Sequence, residues 1–291
     1  MSVPKNSLSR TTGLIVAYRT DPRRLELILS RLAPHCSVVI CDNSECVQDG
    51  GLISECADGH GAVYLSMGDN VGIARAQNVG VAYCWEHGAE RVLLLDDDSL
   101  PCAAIVAKLE SALERTAPGL AVVGARALYD GRDISNARPA GDLTPCRELM
   151  SSGTLISRRV FDLVGPFDES LFIDGVDFDW GWRAQARGVR LYLSAEATME
   201  HRLGIGQINL GPLRIRIPAS VRHYYQFRNV IRLMTRAHTP WRWRFGQAVR
   251  LPAKFALVAI VAPRRRERVA YAIAGIRDAL VGRTGKMDTA K

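Results

Sequence analysis

The sequence lacks the patterns that mark secreted, disulfide-bonded or membrane-spanning proteins. Its 7 cysteines are irregularly spaced and form no CxxC pair, which argues for reduced thiols in a cytosolic protein rather than a disulfide framework or a zinc site. Residues 1–10 contain no apolar stretch typical of a signal peptide. No apolar run reaches the roughly 18 residues that span a membrane, and internal repeats are missing. We therefore expect a globular protein in the cytoplasm.

Acidic and basic residues are unevenly distributed along the chain. The composition of the 291 residues, 47% hydrophobic and 23% charged, is typical of a globular protein large enough for a full core. Residues 1–213 carry 20 Lys and Arg against 27 Asp and Glu, whereas residues 214–291 carry 18 against 3. The two parts have net charges of −7 and +15, which give the total of +8. An acidic body with a basic tail indicates two separate tasks.

Short apolar runs alternate with amphipathic segments over most of the chain. We predict strands at residues 13–18, 37–42, 62–65, 91–95, 120–125, 149–157 and 189–194. We predict helices that begin at Pro22, at Asn70 as a capping residue, and near residues 105, 158 and 174. A polar loop is predicted over 129–147. This order predicts an α/β fold, with a mainly parallel central sheet flanked by helices.

Three consecutive acids follow the most apolar of these strands. Residues 91–95 predict a strand buried on both faces. Asp96, Asp97 and Asp98 follow at its carboxyl end, where open α/β sheets bind their ligands. Because neighbouring carboxylates repel one another, a divalent cation with oxygen ligands would stabilise the group and attract an anionic substrate. A solvated acidic turn is the alternative interpretation.

Polar residues also follow the earlier strands. Tyr18 and Asp42 end the first two strands, so a parallel sheet would place them beside the three acids as a site for a nucleotide base and its diphosphate. Asn70 and Gly72 begin the next predicted helix, whose amide end can face an anion. Asn78 lies about two turns further along that helix. Ordinary turn and capping roles for these residues, with Asn78 facing solvent, are the alternatives.

A second acidic group, Asp174, Asp177 and Asp179, begins the helix predicted at residue 174. Their spacing places Asp174 and Asp177 on one helix face, with Asp179 pointing elsewhere. Aromatic residues such as Trp180 interleave with these acids, and such packing can present a face to a sugar and tune a base. His201 follows the last predicted strand and would complete an Asp/His set for a Mg²⁺- or Mn²⁺-type ion. The alternatives are acids that stabilise a helix N-terminus and a histidine with an ordinary polar role.

Taken together, these motifs resemble the bacterial rhamnosyltransferase branch of the family 2 glycosyltransferases, which have the GT-A fold. The first group of matching motifs is Tyr18, 41–44, 70–74, 77–78 and 94–99. The more specific second group is 152–156, 165–169, 171–174, 176–177, 200–204 and 224–229. The likeness covers residues 12–235.

The resemblance implies a GT-A catalytic domain over residues 1–213, with a nucleotide-binding half at 12–101 and an acceptor half at 102–213. A basic helical region follows at 214–291. The resemblance also implies Asp98 and His201 as ligands of Mg²⁺ or Mn²⁺, and Asp177 as the general base. The remaining implied roles are donor binding by Tyr18, Asp42, Asn70, Gly72, Asn78, Asp96 and Asp97, and acceptor binding by Ser152, Gly153, Asp174 and Trp180. Related sequences often carry an acid two positions after the base, and here that acid is Asp179.

The implied reaction is inverting transfer of L-rhamnose from dTDP-L-rhamnose to a saccharide or polyprenyl-diphosphate-linked acceptor, in the synthesis of cell-surface polysaccharide such as lipopolysaccharide. Another UDP- or dTDP-linked hexose is the first alternative donor. A sugar nucleotidyltransferase is a second alternative, but such an enzyme should carry a Gly-rich signature with a basic residue after the first strand. At this place the chain has the sequence Tyr-Arg-Thr-Asp (18–21), which contains no glycine. A non-catalytic nucleotide-sugar-binding module is a third, and it requires that the acids bind no metal.

The basic tail combines aromatic, apolar and cationic residues at 241–245, 255–262 and 264–266. Helices of this kind lie on anionic membranes, so we expect peripheral attachment to the inner face of the cell membrane, close to a lipid-linked acceptor. Homo-oligomerisation and a solvated helical face are alternatives. Nucleic acid is not expected as a partner, because the tail has no RNA- or DNA-binding motif.

Overall fold

The computed structural model describes residues 9–45, 47–116, 119–135, 141–201, 206–210 and 213–288. The strands of its large sheet are β1 (Thr11–Ala17), β2 (Ser37–Asp42), β3 (Val63–Ser66), β4 (Arg91–Asp96), β5 (Ser99–Pro101), β6 (Ala121–Tyr129), β7 (Arg132–Asp133), β8 (Leu143–Cys146), β9 (Thr154–Ser157) and β10 (Arg190–His201). A separate hairpin is formed by β11 (Gly206–Leu210) and β12 (Leu213–Ile217). The helices are α1 (Pro22–Leu32), α2 (Val47–Gly59), α3 (Ile73–Glu86), α4 (Ile105–Glu114), α5 (Arg158–Val164), α6 (Val176–Ala186), α7 (Arg222–Met234), α8 (Trp241–Val261) and α9 (Arg265–Leu280).

The sheet has helices on both faces, which confirms the predicted α/β class. Its main path runs β3-β2-β1-β4-β9-β6-β10-β5. One apolar core packs α3, α5 and α6 against one face of the sheet, and a second packs α1, α2 and α4 against the other. The central strands are buried on both faces, which explains their unbroken apolar sequences.

Four strands, β1 to β4, form the parallel half of the sheet, and their carboxyl ends border the candidate site. Asp42 pairs in register with Ala17, and Asp96 pairs with Val16, so both acids flank the carboxyl end of β1. The parallel register therefore brings the ends of β1, β2 and β4 to one edge of the sheet, as the sequence predicts.

Strand direction changes in the second half of the sheet. Strand β9 is antiparallel to both β4 and β6, and β10 is parallel to β6 but antiparallel to β5 and β8. A buried strand has the same apolar composition in either direction, so the sequence alone cannot distinguish these pairings.

Several local predictions were wrong. Helix α2 was missed because its sequence contains three glycines, which are poor helix formers. The predicted loop at 129–147 contains β7 and β8. Asn70 does not cap α3, because the cap position is Gly72 and no side chain bonds the first turn. The helix predicted from residue 174 begins at Val176 instead.

Helix α7 is docked onto the loop that precedes α6. Asn229, buried in α7, shares the two N–H groups of Nδ2 among three backbone carbonyl oxygens, those of Leu171 (2.9 Å), Ile173 (2.7 Å) and Asp174 (2.9 Å). Arg228, also buried, donates from Nη2 to the Leu171 carbonyl oxygen at 3.0 Å. The start of the basic region is therefore joined to the α/β body by buried hydrogen bonds.

Helix α8 has one apolar face in contact with the protein and another exposed. Trp243 packs edge-on against Trp182 at a centroid distance of 4.8 Å. Trp241 and Phe245, each 70% exposed, and Ile260, 71% exposed, lie on the outer side. No helix in the described part of the chain combines enough length with enough apolar residues to span a bilayer.

The contact between α7 and α9 depends on a glycine and provides a test of the fold. A Cβ added at Gly275 would lie 2.3 Å from the backbone oxygen of Tyr224. We expect Gly275→Ala to lower the free energy of unfolding by about 1–3 kcal/mol, because the two backbones must move apart. The measurement is chemical denaturation of the purified protein.

The matched control is Gly246→Ala in α8, where a new Cβ would meet no described atom within 4 Å. This substitution should raise the free energy of unfolding by roughly 0.5–1 kcal/mol through helix propensity alone. Equal stabilisation by both substitutions would contradict the close crossing of α7 and α9.

Candidate active site

The carboxyl ends of β1 and β4 open into a cleft with a volume of ≈ 410 Å³. The residues lining it that the sequence predicted are Tyr18, Asn70, Gly72, Asp96, Asp97, Asp98, Asp174 and Asp177. The remaining lining residues are Val16, Asn43, Ile73, Ser151, Phe172, Ile173, Gly175, Val176, Phe178 and Arg222. The two predicted acidic groups thus lie in one cleft, although 79 positions separate Asp98 from Asp177 in the sequence.

Asp97 fixes the loop between β1 and α1. Its Oδ2 accepts a hydrogen bond from the Tyr18 amide at 2.9 Å and another from the Thr20 hydroxyl. The guanidinium of Arg24 in α1 donates to the backbone oxygen of Asp98. These bonds hold the turn after β4 in place, so the Asp97 carboxylate positions the site while it also borders the cleft.

A hydrogen-bonded chain links Asp96 to His201. Ser152 Oγ accepts from the Asp96 amide at 3.0 Å and donates to Ser99 Oγ at 2.8 Å. Ser99 Oγ lies 2.8 Å from His201 Nδ1, which is 3.1 Å from Asp98 Oδ1. His201 reaches this position because β10 pairs with β5 in antiparallel register, with His201 opposite Ser99.

Asp98 and His201 fit a divalent cation as a two-residue ligand set. The Asp98 side chain is 36% exposed, which leaves its carboxylate open to a ligand. Among the described residues, no group of three His, Cys, Asp or Glu side chains is arranged to hold a metal ion. Mg²⁺ usually binds through one or two carboxylates together with substrate phosphates and water, so two protein ligands are sufficient.

Negative charge is concentrated at this end of β4. Burial, followed by the charge of Asp98, raises the pKa of Asp96 to about 7. Burial also raises the pKa of Asp97, against the hydrogen bond from Thr20. Although burial opposes it, the hydrogen bond and charge of Asp98 leave the pKa of His201 raised. The cleft therefore favours a bound cation over further anionic charge.

Asp177, in the first turn of α6, is a cleft carboxylate with a raised pKa. Burial raises its pKa to about 6, with opposition from the amide hydrogen bonds of Phe178 and of Asp177 itself. The Phe178 amide donates to Asp177 Oδ1 at 2.9 Å. A carboxylate with this pKa is mostly ionised at pH 7 and can accept a proton.

Asp174 does not share a helix face with Asp177, because it precedes α6 in a left-handed conformation with φ 66°. Its carboxylate binds Arg222 of α7 through two hydrogen bonds, at 2.6 Å from Nη2 and 3.3 Å from Nε. Arg222 lines the cleft and was missed from the sequence, where it was assigned to the basic tail.

Asp42 is placed behind the cleft. It is 2% exposed, accepts from the Tyr64 hydroxyl at 2.9 Å and does not line the cleft. Its neighbour Asn43 lines the cleft instead, with Nδ2 3.2 Å from Asn70 Oδ1. The Asn70 Oδ1 atom also accepts from the Gly72 amide at 3.1 Å. Sequence reasoning missed Asn43, although it directly follows Asp42 at the strand end.

Three other predicted residues support the cleft from outside its lining. Asn78 Nδ2 donates to the Phe167 carbonyl oxygen at 2.9 Å, and Trp180 Nε1 donates to the Gly165 carbonyl oxygen at 2.9 Å. Both bonds hold the turn at 165–168 against the helices. Gly153 has φ 80°, and a Cβ there would lie 2.7 Å from a neighbouring sulfur atom. These residues, with the buried Ser152, shape the site rather than face the open cleft.

Gly72 allows a close approach between α3 and the opposite side of the cleft. Its φ is 85°, and a Cβ would lie 2.8 Å from the backbone oxygen of Phe172. The same oxygen accepts from the Ile73 amide at 2.9 Å. Helix α3 and the loop before α6 are therefore joined directly at residues that line the cleft.

The fold and the comparisons with known proteins together define a glycosyltransferase of the GT-A type. Over 250 residues the chain is 30% identical to the dTDP-rhamnosyl transferase RfbF of Shigella flexneri, across 80% of this chain and 82% of that protein. The chain belongs to the family 2 glycosyltransferases, in the bacterial rhamnosyltransferase branch, and it is therefore an enzyme. No family model matches the sequence.

Solved structures share the fold at low sequence identity. Residues 1–349 of S. aureus TarS superpose with a TM-score of 0.58 at 14% identity, covering 93% of this chain and 80% of that one. The same protein in complex with UDP-GlcNAc gives 0.56 at 12% identity, over 93% and 81% of the chains. GalNAc-T7 with UDP, GalNAc and Mn²⁺ gives 0.55 at 14% identity, over 89% and 60%. These likenesses confirm the predicted GT-A fold.

Asp179, which the sequence left without a role, is the centre of a buried ion network. Its side chain is fully buried and accepts from Arg183 Nε at 2.9 Å, Arg236 Nη1 at 2.5 Å and His238 Nε2 at 2.7 Å. Arg236 also contacts Asp168. The network joins α6 to the segment after α7, on the side of α6 away from the cleft residues.

We expect Asp179→Ala to lower the free energy of unfolding by about 3–5 kcal/mol, because Arg183 and Arg236, which are largely shielded from solvent, lose the buried carboxylate that they share. The control is Asp162→Ala, which removes an exposed pair with Arg158 and should change stability by less than about 1 kcal/mol. Chemical denaturation measures both. An Asp179→Ala protein of native stability and lost activity would assign Asp179 a chemical role instead.

Proposed function

We propose that the enzyme transfers L-rhamnose, with inversion, from dTDP-L-rhamnose to a saccharide or polyprenyl-diphosphate-linked acceptor of a cell-surface polysaccharide. The carrying observation is that Asp98 and Asp177 line the same cleft. The 30% identical relative is a dTDP-rhamnosyl transferase, which supports this donor. Another UDP- or dTDP-linked hexose remains the alternative donor.

The donor nucleotide is assigned to the side of the cleft formed by β1, β2 and β4. Tyr18 exposes 42% of its surface and offers a ring on which a base can stack. The Asn43–Asn70 pair provides amide groups near the same edge. Asp98 and His201 would hold Mg²⁺ or Mn²⁺ beside the donor diphosphate. When bound, such an ion offsets the charge of the departing diphosphate as a Lewis acid.

Asp177 acts as the general base in this proposal. It takes the proton of the acceptor hydroxyl as that oxygen attacks the anomeric carbon from the side opposite the nucleotide. The bond from the anomeric carbon to the diphosphate breaks, and the dTDP leaves with the bonding electrons. A single displacement inverts the anomeric configuration and requires only one carboxylate on the acceptor side.

Replacement of the base tests this assignment. We expect Asp177→Asn to lower kcat by about 10²–10⁴-fold while dTDP still binds, because the amide cannot accept the proton. For the wild-type enzyme, kcat should fall as the pH decreases below 6, since protonation of Asp177 removes the base. The residual activity of the variant should lack this acid limb. The assay measures dTDP release from dTDP-L-rhamnose with acceptor present.

Surface residue Asp162 provides the matched control, and Asp162→Asn should keep normal turnover. Near-normal turnover by Asp177→Asn would refute its role as the base. Faster nucleotide release from UDP-linked hexoses than from dTDP-L-rhamnose would refute the proposed donor while leaving the base assignment intact.

Metal removal tests the roles of Asp98 and His201. We expect EDTA to weaken dTDP binding and turnover, and added Mg²⁺ or Mn²⁺ to restore both. Asp98→Asn should need a higher metal concentration for the same dTDP affinity in calorimetry. Asp58→Asn, an exposed acid on α2, is the control. Unchanged dTDP affinity and turnover in EDTA would contradict the proposed metal site.

We also propose that the outer face of α8 attaches the enzyme to an anionic membrane. The exposed apolar residues of this face are Trp241, Phe245, Val249, Leu257 and Ile260. Exposed arginines flank it, at positions 242, 250, 264, 265 and 266. Apolar residues bordered by cations suit a helix that lies in the interface of an anionic leaflet.

A double substitution tests the membrane face. We expect Trp241→Glu with Phe245→Glu to weaken binding to phosphatidylglycerol-containing vesicles by at least about tenfold in sedimentation, because two aromatic groups no longer enter the interface. Leu27→Glu on α1, which is also exposed, should bind normally. Unchanged vesicle binding by the double variant would refute the assignment. A double variant that binds vesicles normally but no longer forms a dimer would show that this face is an oligomer interface instead.

A further inference from the structure

Arg222 is the one cation among the described residues that line the cleft. It is the first residue of α7, and its side chain is 43% exposed. The other charged residues of the lining are Asp96, Asp97, Asp98, Asp174 and Asp177. A donor diphosphate that enters this cleft would meet strong repulsion unless cations balance these acids.

In the present arrangement the guanidinium of Arg222 is held by Asp174. The pair has fork geometry, with contacts at 2.6 and 3.3 Å to the two carboxylate oxygens. The backbone of Asp174 is fixed independently, because its carbonyl oxygen accepts from Asn229 Nδ2 at 2.9 Å. Asp174 can therefore release Arg222 without any change in the main chain.

A second cation lies close to Arg222. Lys254 of α8 donates to Gln226 Oε1 at 2.6 Å, and Gln226 lies one helical turn after Arg222 on α7. Burial lowers the pKa of Lys254, and the positive charge of Arg222 lowers the same pKa further. The negative charge of Asp174 acts in the opposite direction. The charges of Asp174, Asp96 and Asp98 raise the pKa of Arg222 against burial. Arg222 is thus electrostatically coupled to the acids at the end of β4.

We propose that Arg222 binds the terminal phosphate of the donor's nucleoside diphosphate, and that on donor binding it exchanges the Asp174 carboxylate for phosphate oxygens. This inference rests on the proposed nucleotide-sugar donor. A planar guanidinium binds carboxylate and phosphate with the same two-pronged geometry, so the exchange requires only a side-chain rotation. The donor diphosphate carries two negative charges in total, one on each phosphate, and it therefore attracts the guanidinium more strongly than one carboxylate does. The nearby charge of Lys254 adds to the positive potential around the Arg222 guanidinium.

The test compares the affinities of dTDP and dTMP by calorimetry in the presence of Mg²⁺. We expect Arg222→Gln to weaken dTDP binding by about 10–100-fold, the value of a charge-assisted hydrogen-bond pair, and to leave dTMP binding nearly unchanged. Arg222→Lys should recover part of the loss, because it keeps the charge without the fork. Arg187→Gln, on the exposed end of α6, is the matched control and should bind dTDP normally.

Asp174→Asn provides a reciprocal test that does not remove the arginine. It should tighten dTDP binding, because Arg222 is released from its competing partner, and the gain should be smaller in the R222Q background. A double-mutant cycle on dTDP affinity measures this coupling. Independent effects of the two substitutions would overturn the proposed exchange.

Three outcomes would overturn the assignment of Arg222. The first is an unchanged dTDP affinity in Arg222→Gln, and the second is an equal loss of affinity for dTDP and dTMP. The third is a loss of affinity by this variant only for farnesyl diphosphate, a probe for the lipid-linked acceptor. A wild-type enzyme that binds no dTDP would instead refute the proposed donor itself. The failure of this inference and the failure of the proposed function are therefore distinguishable.

Discussion

Repulsion among carboxylates at the end of β4 is the constraint on which the site depends. Burial and the charge of Asp98 raise the pKa of Asp96 to about 7, so this edge of the sheet is short of positive charge. Distant parts of the chain supply it. Arg24 binds the backbone of the turn, and Arg222 reaches the cleft from α7. A bound metal cation would supply further positive charge, and that charge would offset both the acids and a nucleotide diphosphate.

Helix α7 and the segment that follows it, at the start of the basic region, are packed onto the α/β body. Helix α7 fixes the loop before α6 through Asn229, and it places Arg222 in the cleft. The buried network of Asp179 joins the segment after α7 to α6. An acidic cleft and a basic tail are therefore connected through α7. Membrane attachment by the outer face of α8 would place that cleft close to a lipid-linked acceptor.

Sequence patterns predicted seven strands of the large sheet and the two acidic groups, but they missed β5, β7 and β8 and several residues that line the cleft. Runs such as 91–95 identify buried strands, and the parallel register then brings Asp98 to the sheet edge. The same patterns do not indicate whether β9 runs parallel or antiparallel to its neighbours. They also cannot show that the Asp42 carboxylate accepts a hydrogen bond from Tyr64 instead of lining the cleft. Arg222 lies 48 positions from its partner Asp174. No local pattern could link them, because only tertiary docking of α7 places them together.

The most direct test of the account is a crystal structure of the enzyme with Mn²⁺ and dTDP, with the metal located by its anomalous scattering. The account predicts a Mn²⁺ peak within about 2.0–2.6 Å of an Asp98 carboxylate oxygen, the range of metal–oxygen bonds. It also predicts the diphosphate between that ion and Arg222, with Asp177 left free on the acceptor side. Metal and nucleotide bound outside the cleft, away from both acidic groups, would contradict it.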